Sequence, residues 1–168
     1  NIGFYLEDNN NVWVIDSGID DDTGKKIIHI AEENGWNVKG VINTHSHADH
    51  MGGDYLISKR TNAIIASSSL ENCFIKYPFL EPSLLYGGNP IPIMHNKLIE
   101  AMGINDVKDI NDVIPDGLEV INLEGHSLGQ IGFKTSDNVY FIGDSLIDEN
   151  TINKYKIFYL TEFRQFFN

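Results

Sequence analysis

The run Thr44-His45-Ser46-His47-Ala48-Asp49-His50 places three imidazoles and one carboxylate within six residues. Imidazole nitrogens and a carboxylate are ligands that suit zinc, and also iron, nickel or copper. An apolar stretch at 38–42 precedes the run and Gly52-Gly53 follows it. On a strand that runs out near Thr44, His45 and His47 point to the same side. Asp49 and His50 then fall in the turn that opens the next helix and face a second position beside the first. One short segment can therefore serve two adjacent metals. A tag or a histidine-rich surface tract would not follow a buried-strand pattern.

Two further strand ends supply candidate ligands. Gly125-His126-Ser127 follows an apolar stretch at 118–123, and Gly143-Asp144-Ser145 follows another at 139–142. In both, the metal-type side chain stands beside a glycine that lets backbone come close. His45, His47 and His126 would make a three-histidine site with an open fourth position for water. Asp49, His50 and Asp144 would make its neighbour, with Asp144 able to bridge two ions.

The elements that must position these residues follow from pattern. Residues 2–6 and 12–15 flank Asp8-Asn9-Asn10-Asn11 and read as a β-hairpin. Asp20, Asp21 and Asp22 precede a helical spacing at Ile27, Ile30 and Ala31, so they cap a helix that stops at Asn34-Gly35. A strand over 38–43, a helix over 51–60 and a strand over 63–66 come next. Region 67–111 holds four of the five prolines together with Gly87-Gly88. It reads as an insertion near the active site, with short helices at 70–77 and 97–102. Its Tyr77, Tyr86 and Lys97 read as surface or packing residues rather than substrate contacts. Strands return at 118–123, 130–135 and 139–142. Ile152, Tyr155, Tyr159, Phe163 and Phe166 then recur at helical steps as a core-facing stripe. With no repeat and no linker, residues 1–168 form one domain of sheet-rich, layered α/β architecture.

Composition narrows the function. The 168 residues are 42% hydrophobic, enough for one core, and carry a formal charge of −12 from 24 acidic and 12 basic side chains. That balance argues against binding nucleic acid or an anionic membrane, which needs a basic surface. It leaves room for a small-molecule substrate, because a metal dominates its local field. No apolar run approaches a membrane span, and the expectation is a protein without a targeting leader. Cys73 is the only cysteine and reads as a small buried hydrophobe. A lone thiol fits a reducing cytoplasm.

Four segments together resemble the metallo-β-lactamase fold superfamily, and the glyoxalase II-like hydrolases within it. They are Asp16-Ser17-Gly18, the run from Thr44 to Gly53, Gly125-His126-Ser127-Leu128-Gly129 and Gly143-Asp144, which occur in the family's order. The resemblance implies an αββα sandwich with metals at one edge of two sheets. It implies that Asp16 accepts hydrogen bonds behind the histidine loop rather than binding metal, fixing imidazole orientation. It also implies a further histidine well downstream of the bridging aspartate. Beyond the assigned positions this chain has only His29, which reads as structural, and His95, while 24 residues follow Asp144. The expectation is a chain truncated at its C-terminus, with its start at Asn1 rather than Met leaving the N-terminus open to the same reading, and associated as a homodimer through the C-terminal face so exposed.

The resulting expectation is a zinc-dependent hydrolase with one or two ions. A hydroxide bound to the metal attacks an acyl-type bond, such as a thioester or lactone, and Asp49 ligates and orients it. Zinc lowers the pKa of bound water from about 16 to about 7. The alternatives are an enzyme resembling the iron persulfide dioxygenases, with iron on His45, His126 and Asp144, and a catalytically incomplete metal-binding fragment.

Overall fold

Strand β2 (Asn11–Ile15) buries side chains on both of its faces, and that fixes the layering. The computed structural model describes residues 2–8, 10–147, 149–154, 160–162 and 164. Val12 and Val14 point into one apolar cluster, with Ile27, Ala31, Val41, Met51 and Ile57. Trp13 and Ile15 point into the other, with Ile42, Ala66, Leu118, Ile131 and Phe133. Successive strand side chains alternate between faces, so the strand is covered on both sides.

A five-stranded sheet carries β1 (Gly3–Leu6), β2, β3 (Asn37–Ile42), β4 (Ile64–Ser67) and β5 (Val107–Asp109) in that order. The expected hairpin of β1 and β2 is antiparallel, and β2 through β5 run parallel. Helices α1 (Asp21–Glu33) and α3 (Asp54–Thr61) make the crossovers and pack on one face of this sheet. An antiparallel sheet of β6 (Leu118–Asn122), β7 (Ile131–Thr135) and β8 (Tyr140–Phe141) packs on the other face. Helix, sheet and sheet therefore stack as three successive layers of the expected αββα sandwich. Asp20 caps α1 as expected, its carboxylate accepting from Thr23 N at 3.1 Å.

Three of the elements differ from the sequence expectation. The helix expected over 51–60 is divided into α2 (Ala48–Met51) and α3, because Gly52 N donates to Gly18 O at 2.7 Å instead of continuing the helix. A Cβ on Gly52 would sit 2.2 Å from the Ile19 carbonyl carbon, so the chain passes there only as glycine. Within 67–111, α4 (Ser69–Lys76) takes the place of the first short helix, but 97–99 is only a turn and a helix forms at α5 (Leu80–Tyr86) instead. The end of this region joins the main fold, since β5 pairs with β4 and α6 (Ile110–Val113) follows it.

Cys73 is exposed rather than buried. Glu71 and Ile75, four residues apart, form the buried face of α4, which turns residue 73 outward. Helix α7 (Glu149–Lys154) is the last helix or strand named among the described residues, and the side chain of Ile152 with Tyr155, Tyr159, Phe163 and Phe166 lies outside the described residues. Among the described residues no helix is long and apolar enough to cross a membrane.

Gly52→Ala forces its methyl into backbone and should lower stability by about 1–3 kcal/mol, the usual range for overpacking. Urea unfolding would show the midpoint shift at constant slope; an unchanged midpoint would contradict the close approach described above.

Candidate metal centre

Three strand ends converge on the site. The loop after β3 carries His45 and His47 and leads into α2, which carries His50; the loop between β6 and β7 carries His126, and the turn after β8 carries Asp144. Ile131 N donates to Thr44 O at 2.9 Å and ties the second sheet to the histidine loop. Thr161 N and Glu162 N both donate to Gly125 O, so the C-terminal segment braces the His126 turn.

His45 is wholly buried at the centre. Its ring centroid lies 4.0 Å from that of His50, 4.5 Å from His47 and 5.1 Å from His126. His126 Nε2 lies 2.9 Å from His47 Nδ1. Two groups of candidate ligand atoms result, each within 4.8 Å: His45, His47 and His126, and His45, His50 and Asp144. Nitrogens sharing one tetrahedral zinc stand about 3.3 Å apart, given bonds of about 2.0–2.1 Å. The spacing therefore suits an ion. The polar inventory gives the sharper test: His45 Nε2 is buried and has no hydrogen-bond partner. An orphaned lone pair among imidazoles, with nothing else to bond, fits a divalent metal.

Asp16 stands behind this cluster. Its carboxylate accepts from Thr44 N at 2.8 Å and from Thr44 Oγ1, and lies 2.9 Å from His50 Nδ1. Thr44 Oγ1 in turn meets His45 Nδ1 at 3.0 Å. Asp16 takes a φ of 58°, in the left-handed region that aspartate tolerates better than most residues. Backbone bonds from Ser17 N and Gly18 N to His50 O hold the two loops together at the same place.

Burial pushes the His45 imidazole well below its ordinary value, and its three histidine neighbours push the same way. Burial likewise lowers His126 to about 4, with help from His47. His50 goes the other way. Burial, its largest single influence, opposes the charge, but hydrogen bonds to Asp144 and Asp16 raise it to about 10. The same bond from His50 holds Asp144 low. The metal-free centre is thus neutral at His45 and His126 and cationic at His50, where two carboxylates flank the ring.

Asp144 reaches both sides, with Oδ1 3.3 Å from His50 Nε2 and Oδ2 3.6 Å from His126 Nε2. Asp49 falls in neither ligand group: its side chain is 55% exposed and its Oδ2 lies 3.7 Å from His50 Nε2. His29 is exposed on α1, 3.4 Å from Glu33. His95 is engaged in its own loop, Nδ1 with Glu100 and Nε2 with Pro90 O. Lys97 pairs with Asp20 at 2.9 Å. A cleft of about 320 Å³ opens beside the cluster, lined by Ile15, Asp16, Thr44, His50, Tyr140 and Asp144 among others.

Two carboxylates in 67–111 approach the site without having been expected there. Glu81 Oε1 on α5 lies 3.3 Å from His47 Nε2, without the geometry of a hydrogen bond. Glu71 on α4 is buried against the loops of His45 and His126. Only Glu71 carried a local signal, three residues after the helix-capping Ser68.

The family description "Metallo-beta-lactamase superfamily" matches residues 3–164. The chain belongs to the metallo-β-lactamase superfamily. A hydroxyacylglutathione hydrolase of Erythrobacter litoralis (strain HTCC2594) is 30% identical over 148 residues, covering 87% of this chain and 48% of that protein. The hydroxyacylglutathione hydrolase GloC of Haemophilus influenzae is 26% identical over 147 residues, covering 87% of this chain and 66% of its own length. The chain spans about half the length of the first curated relatives it matches. Among solved structures, TTHA1623 in a di-iron-bound form superposes with a TM-score of 0.65 at 19% identity, over 99% of this chain and 77% of that one. BLEG-1 B3 metallo-beta-lactamase gives 0.65 at 17% identity, over 89% and 68%. At these identities the structures establish the shared fold, the αββα class expected from the motifs.

Raised from 6.5 to about 10, the His50 pKa makes its ion pairs stabilise the metal-free fold fully below pH 6.5; that contribution is lost as pH rises through about 10. A metal taken up through His50 Nε2 at pH 7–8 must displace this proton. Calorimetry in buffers of different protonation enthalpy should show one proton released from His50, and the release should vanish in His50→Gln. Equal proton release in both proteins would contradict the assignment.

Proposed function

We propose that this chain carries the metal-binding part of a zinc-dependent thioester hydrolase acting on hydroxyacylglutathione. The observation that carries the reading is the grouping of His45, His47 and His126 around the buried, unpartnered Nε2 of His45. The names of the curated relatives supply the substrate class. In this reading His45, His47 and His126 hold the first ion, and His50 and Asp144 contribute to a second.

Bound zinc supplies a Lewis acid and brings the pKa of water down to about 7. The chain's own groups do the rest. Thr44 and Asp16 fix the rings of His45 and His50, so their ligand nitrogens need no reorganisation. Asp49, on the open side of His50, orients the attacking water and holds its proton. Asp144 spans the two imidazole groups and limits how far they separate. The cleft bordered by Tyr140 and Asp144 admits the acyl group of the thioester. Glutathione is the thiol of the reducing cytosol, and the cytoplasm is the compartment we propose.

His45→Ala removes the residue common to both ligand groups. It should abolish metal retention and bring thioester hydrolysis to the uncatalysed background, read as metal per chain and free thiol released. Asp49→Asn should retain metal in the first group while losing about 10²–10⁴-fold in turnover, the range of general acid–base groups. A zinc-loaded protein that cleaves no acylglutathione thioester would sink the hydrolase reading. Iron content with oxygen uptake would replace it with the dioxygenase alternative.

A further inference from the structure

Ser68 and Glu71 stand at the spacing of a capping box, in which the glutamate reaches back to the N–H of the capping residue. Helix α4 keeps half of that arrangement, with Ser68 Oγ accepting from Glu71 N at 3.3 Å. The Glu71 side chain is diverted elsewhere. It is 1% exposed, and both of its oxygens are engaged twice. Oε2 accepts from Ser46 N at 2.8 Å and from Ser46 Oγ at 2.6 Å. Oε1 accepts from Ser127 Oγ at 2.7 Å and from Gly129 N at 2.8 Å. Four donors meet the four lone-pair positions of an ionised carboxylate.

The identity of the donors matters more than their number. Ser46 lies between His45 and His47, and Ser127 follows His126. One carboxylate thus joins the two loops that supply the three-imidazole group. The contact is tightened by Ser68 Oγ, which donates to Gly129 O at 2.7 Å. A Cβ at residue 129 would lie 2.7 Å from both Ser68 Oγ and Leu70 Cβ, so the loop seats on the start of α4 only because it is glycine there.

We propose that Glu71 is a positioning residue of the metal centre. It sets the separation of His126 from His45 and His47, and through that separation the affinity and coordination geometry of the first ion. The inference rests on the proposed metal site. A glutamine at this position keeps the shape but presents an NH2 to at least one backbone or hydroxyl donor, so one side of the clamp opens. Groups that orient metal ligands typically cost 10–100-fold in affinity when lost.

The test uses cobalt(II) as the probe, read by its visible absorption and by competition with a chromophoric chelator. Wild type, Glu71→Gln and Ser127→Ala are compared, with thermal unfolding of each metal-free protein as the control for folding. Glu71→Gln should bind cobalt about 10–100-fold more weakly and with altered visible bands. Ser127→Ala, which loses one of the four bonds, should weaken binding about 2–10-fold. Wild-type affinity and bands in the variants would overturn the proposal, even if their unfolding temperatures fell, because a merely structural role predicts that pattern. If Glu71→Gln does not fold, Ser127→Ala decides alone on the same criterion. A wild-type protein that binds no cobalt would end the metal reading itself. Unaffected variants beside a cobalt-binding wild type would end only the role of Glu71.

Discussion

Imidazoles packed around His45 cannot all carry charge, and that electrostatic constraint governs the rest of the centre. Two unit charges 4 Å apart repel by about 4 kcal/mol at the effective dielectric of a protein surface, and by more when buried. Burial keeps His45 and His126 neutral, and His50, the imidazole of this cluster whose pKa is raised, lies between Asp16 and Asp144. Neutral imidazoles are also the form that binds metal. What would be a costly cluster of polar rings in an ordinary core is thereby suited to a cation.

Holding that cluster requires backbone from distant parts of the chain to meet closely. Parallel β2 and β3 bring the Asp16 turn beside the histidine loop, and Asp16 N completes the junction by donating to Ile42 O at 3.1 Å. The second sheet delivers His126 and Asp144 from the other side, joined to the first through Ile131 N and Thr44 O. Gly52 and Gly53 then let the loop pass against residues 17–19 and the first turn of α1. Packing, hydrogen bonding and ligand placement share the same few residues. A change at one of them acts on all three.

Much of this was legible in the chain because the candidate ligands sit at or just past strand ends, where pattern and chemistry coincide. The continuous apolar run of β2, the acid-capped start of α1 and the spacing of His45, His47 and His50 each follow from local rules. Glu71 and Glu81 were not legible. Their roles depend on where α4 and α5 dock, and Glu71 stands at a spacing that locally specifies a helix cap. Cys73 departs from its sequence expectation for a related reason: burial on α4 is set by its Glu71–Ile75 face, not by the hydrophobicity of a thiol. The division of α2 from α3 depends on Ile19 and Gly18, which touch Gly52 only in the folded chain.

The most direct measurement on the central claim is zinc K-edge X-ray absorption of the chain loaded with one equivalent of zinc. Three imidazoles on the ion would give a nitrogen-dominated inner shell at about 2.0–2.1 Å, with the outer-shell scattering of three ring systems. That pattern is the expected result. A shell of oxygens without imidazole scattering would place the ion elsewhere and contradict a centre built on His45, His47 and His126.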